Sequence, residues 1–430
     1  MAKAIFEVDV VLFKKKALHW CQQFSECCFL ESNGYADEYH KIDALLAVQA
    51  VDCYRADGVN DSFLALEDFR TKHTLSWMLG FFSYDLGNEV EQLSPRLNGE
   101  MVFPALYFFV PATIVRFIGA TVEIESENPE YIFQCIISTA IPTQVDLPKR
   151  GDIRVQKLFS KRDYLHAFEN MQQHIRRGDI YEVNLCQEFY AESAVIDPLS
   201  VYEKLNSISP MPFSCFFKLN DQYVLCASPE RFLAKRKDLL ISQPIKGTAP
   251  RGKTPQEDHD IINALQQNPK EIAENVMIVD LVRNDLTRSA KAGTVDASRK
   301  LAVHTFQQVH QLISTVTCTK ATTVSDVQAI KNTFPAGSMT GAPKISAMQL
   351  CEKYEGSRRG IYAGAIGYFA PDGDFDLNVV IRSILYDMKK GRLSFHTGGA
   401  ITLHAEAEKE YEECLLKASA ILTTLSAHLD

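Results

Sequence analysis

Helical and strand-like patterns alternate along the second half of the chain, and they constrain its fold more than any other feature of the sequence. Apolar residues recur with a helical period in the segments 164–177, 268–286 and 406–425. The segments 180–189 and 364–369 instead have the pattern of strands that enter or leave tight turns. These patterns predict a mixed α/β or α+β fold built on a large sheet.

The segment 142–152 divides the sequence into two parts of different character. It is polar and contains prolines and a glycine, which makes it the best candidate for a linker. Residues 1–150 contain short apolar runs separated by loops, and we expect them to form an N-terminal subdomain. Residues 151–430 contain the motifs described below, and we expect them to form the catalytic domain.

Charge and cysteine usage argue against several classes of function. The formal net charge is −9 and no basic run is longer than 14–16, which argues against a nucleic-acid-binding protein. The eleven cysteines form no Cys-x-x-Cys pair, so neither a zinc site nor a disulfide framework is indicated. Residues 1–18 mix charges with apolar residues, unlike a signal peptide, and no stretch reaches the length of a membrane span. We therefore expect a cytoplasmic protein.

The run PIKGTAPRG, at residues 244–252, places one lysine in an otherwise apolar turn that glycine and proline constrain. A free lysine is a poor nucleophile at neutral pH, because its pKa is about 10.4. A buried lysine beside a carboxylate can instead be tuned for covalent or acid/base chemistry. Lys246 is therefore a candidate catalytic residue, with Glu230 nearby in sequence; a surface lysine in a turn is the alternative.

Two helical segments carry glutamates that could bind a metal ion. Glu274 lies beside the apolar stripe of its helix, facing either a cleft or solvent. Glu410, Glu413 and Lys417 share one face of the last helix. Mg²⁺ takes one or two protein carboxylates and keeps room for an anionic substrate, so a magnesium site is possible. Salt bridges along the helix, or a solvated glutamate, are the simpler interpretation of each pattern alone.

A glycine-containing loop, 334–344, leads into another helical segment. Backbone amides at such a helix start favour anions, and the spacing differs from that of a nucleotide-binding P-loop. An arginine can hold a carboxylate through two hydrogen bonds, and glycine amides can approach a carboxylate without obstruction. The candidate anion-binding residues are Thr340, Gly341, Tyr368, Arg382, Gly398 and Gly399. Together they predict a site for a dianion.

These motifs resemble those of the chorismate-utilising enzymes, and most closely those of the members that aminate chorismate at C4. The resemblance is strong over residues 159–420 and weak before them. It rests on six motifs in order: GDIYEVNL at 178–185, ASPERF at 227–232, PIKGTAPRG, AENVMIVDLVRNDL at 273–286, TGAPK at 340–344 and EYEECLLK at 410–417.

The resemblance implies a role for each candidate. Glu274 and Glu413 would bind Mg²⁺, with Glu410 close by, and Lys417 would contact the ring carboxylate region. Tyr368, Arg382, Gly398 and Gly399 would bind the chorismate carboxylates, and Thr248, Thr340 and Gly341 would line the same cleft. Glu230 would protonate the leaving C4 hydroxyl, and Lys246 would attack C2. The implied fold is a two-subdomain sandwich of facing antiparallel sheets with outer helices.

The resemblance also implies a product and a partner. The product would be 4-amino-4-deoxychorismate, used in para-aminobenzoate and folate synthesis, and a separate glutamine amidotransferase would supply the ammonia. Anthranilate synthases have alanine in place of Lys246, whereas isochorismate synthases have a lysine in place of Glu182. An anthranilate or isochorismate synthase, or a catalytically silent homologue, remains the alternative.

The sequence departs from the family pattern at two positions. Glu182 stands where the aminating members usually have glutamine, and a carboxylate there would be repelled by the substrate unless it were protonated or paired. Gln311 stands where histidine is common. In addition, the segment 29–32 resembles the tryptophan-binding segment of anthranilate synthases, so a tryptophan pocket is possible.

Overall fold

The computed structural model describes residues 1–58, 61–91, 93, 99–142 and 153–430. The expected linker 142–152 lies, apart from its first residue, outside the described residues, and the domain boundary at 150 stays a prediction. Within the described part of the chain, no helix is both long and apolar enough to cross a membrane.

Most of the described residues form strands and helices. The strands are β1 (Ala2–Glu7), β2 (Glu26–Glu31), β3 (Ala44–Ala56), β4 (Met78–Phe82), β5 (Leu106–Ile118), β6 (Thr121–Ser126), β7 (Arg154–Lys157), β8 (Glu182–Ala191), β9 (Phe213–Leu219), β10 (Gln222–Ser228), β11 (Arg231–Arg236), β12 (Leu239–Gln243), β13 (Ile245–Pro250), β14 (Asp296–Thr305), β15 (Val309–Thr319), β16 (Gly341–Ala342), β17 (Ala365–Phe369), β18 (Phe375–Asn378), β19 (Ser383–Asp387), β20 (Arg392–Ile401) and β21 (His428–Leu429).

The helices lie between these strands. They are α1 (Val10–Cys21), α2 (Ser62–Lys72), α3 (Gly87–Val90), α4 (Pro129–Ser138), α5 (Lys161–Arg177), α6 (Pro198–Ile208), α7 (Pro255–Gln267), α8 (Pro269–Thr287), α9 (Asp326–Thr333), α10 (Lys344–Tyr354) and α11 (Ala407–Leu425).

The strands form two antiparallel sheets that share β5. The first sheet runs in the order β1-β6-β5-β3-β2-β9-β10-β19-β20-β8, and β8 also pairs with β7 and β16. The second runs from the first half of β5 through β4, β17, β18, β11 and β12 to β15, which also pairs with β13 and β14. Because β6 and β4 pair with different halves of β5, the sheet divides there.

The two sheets face each other across a shared apolar core. Phe217 and Leu385 of the first sheet pack there with Phe81 and Ile366 of the second. Helices α1, α4, α6 and α11 cover the outer face of the first sheet, and α2, α8 and α9 cover that of the second. Burial of apolar surface on both faces of each sheet drives this arrangement. The predicted sandwich of facing antiparallel sheets with outer helices is confirmed.

Two of the places where the chain crosses between the sheets are adjacent. The chain leaves the first sheet after β10 and enters the second at β11, and it returns from β18 to β19. The backbone N–H of Val379 donates to the carbonyl of Glu230 over 3.0 Å, and that of Ala227 donates to the carbonyl of Arg382 over 3.1 Å. The two crossings therefore lie side by side and bring Glu230 close to Arg382.

Candidate active site

A β-bulge in β13 sets the direction of the Lys246 side chain. Ile245 pairs with Ile313 and Thr248 with Gln311, so that β13 contains one more residue than β15 over this stretch. Such a bulge bends the strand and redirects the side chains within it. Gly247 has φ +95°, and a Cβ there would lie 3.0 Å from Leu312 Cδ1, so the bulge favours glycine.

The ammonium group of Lys246 forms a buried ion pair with Glu182. Nζ donates to Oε1 of Glu182 over 2.6 Å, and the two side chains are 10% and 2% exposed. Burial lowers the pKa of Lys246, but the charges of Glu182, Glu274 and Glu230 outweigh burial and raise it above the ordinary value for lysine. The pairing answers the concern about a carboxylate at position 182, because the charge of Glu182 is compensated.

Glu230 lies at the crossing from β10 to β11, and its side chain is buried. Burial raises the pKa of its carboxyl to about 7, although the hydroxyl of Ser338 and the charges of Lys246 and Arg382 act in the opposite direction. A carboxyl with a pKa near neutrality can hold a proton and release it, which suits a general acid.

Arg382 lies at the return crossing, with an unusual φ of +51° for a residue other than glycine. Its Nη1 lies 3.7 Å from the sulfur of Met211, and it forms no salt bridge within the part of the chain that the structure describes. Burial lowers its pKa, while Glu230 has the opposite effect. A partly buried guanidinium without a carboxylate partner is suited to binding an anionic ligand.

The three predicted metal ligands lie on α8 and α11. Lys270 joins two of them, because its Nζ is 3.8 Å from Oε1 of Glu274 and 3.6 Å from Oε1 of Glu410. Glu413 instead pairs with Lys417 over 2.8 Å. Oε1 of Glu274 is buried and lacks a hydrogen-bond donor among the residues described. The ammonium group of Lys270, in the first turn of α8, therefore lies where the resemblance implies Mg²⁺.

Burial and neighbouring charges determine the titration of these glutamates. Burial raises the pKa of Glu274 to about 7, and the charge of Glu182 adds to the effect. Burial and the charge of Glu413 raise the pKa of Glu410. Burial also acts to raise the pKa of Glu413, but the charge of Lys417 outweighs it and lowers that pKa. Carboxylates held together in this way favour a cation between them.

The donor set fits Mg²⁺ better than a metal that needs several protein ligands. Over the described ranges, no group of three or more His, Cys, Asp or Glu side chains is close enough to hold a metal ion. Mg²⁺ requires only one or two carboxylates, since waters and the substrate complete its shell. Glu274, with an oxygen that lacks a donor, and Glu410 meet that requirement, and Glu413 lies one turn further along α11.

The predicted glycines stand where backbone and carboxylates come together. A Cβ at Gly399 would lie 2.8 Å from Oε2 of Glu410, and one at Gly398 would overlap the carbonyl of Leu185. Lys417 donates to the carbonyl of Gly398 over 2.9 Å. A Cβ at Gly341 would overlap the carbonyl of Glu182. These glycines allow β20 and β16 to approach the site closely.

The predicted threonines occupy two sides of the same region. Thr340 is fully buried, and its hydroxyl donates to the carbonyl of Gly337 over 3.1 Å. Thr248 accepts a hydrogen bond from Nε2 of Gln311 over 3.4 Å. Oε1 of Gln311 is buried and has no hydrogen-bond donor among the described residues. Gln311, the second departure from the family pattern, therefore offers an unused acceptor next to Thr248.

Tyr368 is one predicted binding residue that the structure does not bring to this cluster. Its ring centroid lies 5.6 Å from that of Trp77, in the core between the sheets. It lines a different pocket, with Arg231 and Asp376, and the segment 30–32 lines the same pocket. The alternation of residues along β17 predicts which side chains share a face of the strand. It does not predict which face of β17 lies towards the core between the sheets. Tyr368 therefore lies outside the cluster around Lys246, and its role in binding chorismate stays a prediction, as does the tryptophan pocket.

Two residues of the cluster were missed in the sequence. The i,i+4 spacing of Lys270 and Glu274 on α8 could have indicated the first. Ser338, which faces Glu230, carries no comparable signal, because the two residues are far apart in the chain and only the folded sheets bring them together.

Comparison with known proteins gives a consistent picture. Residues 25–423 match the model of a family described as chorismate binding enzyme. The chain is 34% identical over 356 residues to aminodeoxychorismate synthase component 1 of Klebsiella aerogenes, covering 82% of this chain and 78% of that protein. It is 45% identical over 263 residues to aminodeoxychorismate synthase of Streptomyces griseus, covering 61% of this chain but only 36% of that protein.

The fold has a counterpart among solved structures. Anthranilate synthase component I from Streptococcus pneumoniae superimposes with a TM-score of 0.78, covering 90% of this chain and 95% of that chain. At 24% sequence identity, this likeness concerns the fold alone.

Proposed function

Because this chain belongs to the family of chorismate binding enzymes, we propose that it aminates chorismate at C4 to give 4-amino-4-deoxychorismate, for para-aminobenzoate synthesis. The observation that carries the proposal is the buried Lys246, with Glu230 and its pKa of about 7 in the same cluster. The names of the Klebsiella aerogenes and Streptomyces griseus relatives support the same activity.

Chorismate carries two carboxylates, and the site offers complementary groups. Arg382 is partly buried and has no acidic salt-bridge partner among the described residues, so it can bind one carboxylate through two hydrogen bonds. The amides of Gly398 and Gly399 lie on β20 nearby. Glu274 and Glu410, with Glu413, would hold Mg²⁺, and the bound ion would supply positive charge that fixes the ring carboxylate.

The reaction replaces a hydroxyl, which is a poor leaving group. Glu230, protonated near neutral pH, donates a proton to the departing C4 oxygen so that it leaves as water. The amine of Lys246 forms a bond to C2 as the ring double bond shifts and the C4–O bond breaks. Ammonia then adds at C4 as the double bond shifts back and the C2–N bond to Lys246 breaks. One difficult substitution is thereby divided into two easier ones.

The ammonia comes, in this proposal, from a separate glutamine amidotransferase subunit. The Klebsiella aerogenes relative is named as a component 1, which is in keeping with a second component. The isolated chain should then use free ammonia. We also place the protein in the cytoplasm, since its eleven cysteines are free thiols.

The test is to incubate the purified chain with chorismate, Mg²⁺ and an ammonium salt at mildly alkaline pH and to identify the products by mass and chromatography. Lys246→Ala is compared with Lys253→Ala, which removes an exposed lysine from the same segment. We expect 4-amino-4-deoxychorismate from wild type and Lys253→Ala only. Anthranilate or isochorismate as the main product, or no product, would contradict the proposal.

A further inference from the structure

We propose that Glu182 is the base that accepts a proton from Lys246 before Lys246 attacks the substrate. The inference rests on the proposed function and adds a catalytic residue to it. It assigns a role to a position where this chain departs from the usual pattern of the aminating members.

The geometry of the pair is that of a proton donor and its acceptor. Nζ of Lys246 lies 2.6 Å from Oε1 of Glu182, within the range of a strong, charge-assisted hydrogen bond. Both side chains are buried, and this is the one hydrogen bond that either side chain makes within the described ranges. Proton transfer along this bond would therefore need no water and no rearrangement.

Lys246 needs such an acceptor because its surroundings favour the ammonium form. Four carboxylates favour its charged form electrostatically: Glu182 of β8, Glu274 of α8, Glu230 of the crossing and, more distantly, Glu413 of α11. Only the neutral amine has a lone pair with which to form a bond to carbon. A lysine held in this way would rarely lose its proton to solvent near neutral pH.

The other carboxyl groups around Lys246 have roles that prevent them from accepting its proton. Glu230 must arrive protonated in order to protonate the leaving hydroxyl, so it cannot first take the proton of Lys246. Glu274 and Glu413 belong to the set that would hold Mg²⁺, and a metal-bound carboxylate is a weak base. Glu182 is the remaining carboxylate, and it is also the nearest.

Burial makes the transfer easier than it would be in water. An ion pair removed from solvent loses the hydration of two charges, whereas the neutral amine and carboxylic acid do not require it. A substrate that fills the cleft and excludes water would move the pair further towards the neutral form. Binding of substrate would thus release the nucleophile.

The backbone around Glu182 holds the base in place. Glu182 pairs with Ala342 of β16, and the neighbouring Val183 pairs with both Gly341 and Ile401. Since the carbonyl of Glu182 lies directly against Gly341, a larger residue at 341 would push β8 away. The backbone that bears the carboxylate is therefore held by β16 at Glu182 and by both β16 and β20 at Val183.

The proton balance closes over the cycle. The proton of Lys246 moves to Glu182, the amine bonds to C2, and Glu230 gives its proton to the departing hydroxide to form water. After ammonia has added at C4, Lys246 leaves as the neutral amine and recovers its proton from Glu182. The ammonium group formed at C4 returns one proton to Glu230. Chorismate and ammonia are converted to 4-amino-4-deoxychorismate and water.

The experiment isolates the first half of this cycle. Protein and chorismate are mixed with Mg²⁺ but without ammonia, and the covalent adduct, which has the mass of chorismate less one water, is followed by intact-protein mass spectrometry. Wild type is compared with Glu182→Gln, which keeps an oxygen that can accept from Lys246 but is not a base. Lys246→Ala provides the blank.

In Glu182→Gln the proton must leave to solvent, so the rate of adduct formation should become strongly dependent on pH. Relative to wild type measured at the same pH, we expect a loss of about 100-fold near pH 6.5, typical for removal of a general base, and almost no loss at about pH 9. Glu182→Asp, which keeps a carboxylate one methylene shorter, should show a smaller loss near pH 6.5.

Two controls separate this role from a structural one. Glu188→Gln removes another buried carboxylate of β8, one that accepts from Ser394 over 2.8 Å, and should leave the pH dependence of adduct formation unchanged. Thermal unfolding of each variant shows whether it is folded, and Glu182→Asp is the variant to use if Glu182→Gln is not.

Each outcome has a distinct meaning. A Glu182→Gln variant that forms the adduct at the wild-type rate near pH 6.5, or that loses the same factor at both pH values, would overturn the role of Glu182. If wild type itself gives no amination product when ammonia is added, the proposed function fails instead. Wild-type amination with an unchanged pH profile in the variant would leave the function standing and refute the base.

Discussion

Gly399 stands directly against Glu410, because a Cβ at position 399 would lie 2.8 Å from Oε2 of that glutamate. Gly399→Ala should therefore displace the buried carboxylate of Glu410 while leaving β20 paired. We expect ammonia-dependent amination to fall by about tenfold or more, as misplacement by about 1 Å can cause, with little change in the melting temperature.

Gly398→Ala is the matched comparison for this variant. Its Cβ would overlap the backbone carbonyl of Leu185, which cannot move without disturbing the pairing of β8 with β20. Thermal unfolding should therefore show a clear loss of stability for Gly398→Ala only. Equal loss of stability in both variants would contradict the different roles assigned to the two glycines.

The pKa of Glu230 predicts how the rate of amination changes with pH. Its pKa is about 7, raised by burial, and the protonated form is the active one, so kcat/KM should decrease tenfold per pH unit above that value. Glu230→Gln should lower kcat by about 100-fold or more and remove this alkaline decrease. The measurement is a pH profile of amination at saturating Mg²⁺, with the concentration of free ammonia rather than of total ammonium held constant; a wild-type profile that continues to rise well above pH 7 would contradict the assignment.

The position of Lys270 predicts that its removal strengthens the binding of Mg²⁺. Its ammonium group lies 3.6 Å from Glu410 and 3.8 Å from Glu274, where it competes with Mg²⁺ for the same carboxylates. It is 52% exposed, so solvent weakens its interaction to about 1 kcal/mol and its removal should tighten Mg²⁺ binding by roughly fivefold to tenfold. Calorimetric titration of Lys270→Met, with the exposed Lys389→Met as control, tests this. Unchanged or weaker binding would be evidence against the competition.

Arg382 should affect the binding of chorismate more than its conversion. Removing a buried cation that pairs with a carboxylate costs about 2 kcal/mol or more, so Arg382→Ala should raise KM for chorismate by about 30-fold or more. Arg382→Lys keeps the charge but not the planar pair of donors, and its loss should be smaller. Steady-state kinetics give both values, and an unaltered KM in Arg382→Ala would place the carboxylate elsewhere.

Lys344 connects the glycine-containing loop to α8. Its Nζ donates to Asp285 over 2.6 Å and to the carbonyls of Thr333 and Pro335, each over 2.9 Å. Lys344→Met would leave the charge of Asp285 buried and unpaired, at a cost of about 3 to 5 kcal/mol in unfolding free energy. Denaturant unfolding measures it, and the double variant with Asp285→Asn should recover part of the loss. No recovery would mean that packing, not charge, is responsible.

The fold could be predicted as far as local pattern determines it. The segments 164–177, 268–286 and 406–425 correspond to α5, α8 and α11 within a few residues, because a helix buries one face of its own sequence. The order of the strands could not be derived from period alone. Pairings such as β2 with β9 join residues nearly two hundred positions apart, and only the family resemblance indicated the sandwich.

The site was predicted where residue chemistry is unusual, and missed where it depends on geometry. A lysine in an apolar turn and glutamates at helical spacing indicate Lys246, Glu274 and Glu410, which do lie in one cluster. The pairing of Lys246 with Glu182 could not be predicted, since it depends on β13 and β8 meeting from different sheets. Tyr368 lines a different pocket from this cluster, which its motif position could not reveal.

The backbone pairing of β8 has a consequence for how enzymes of this type can diversify. Strand pairing with β16 holds position 182, and β20 pairs with the neighbouring Val183; neither pairing depends on the side chain at position 182. A single codon change there can thus exchange an acid, an amide or an amine beside the nucleophile while the scaffold stays the same. The backbone pairing is compatible with each of these side chains, so position 182 is a natural first target for laboratory evolution.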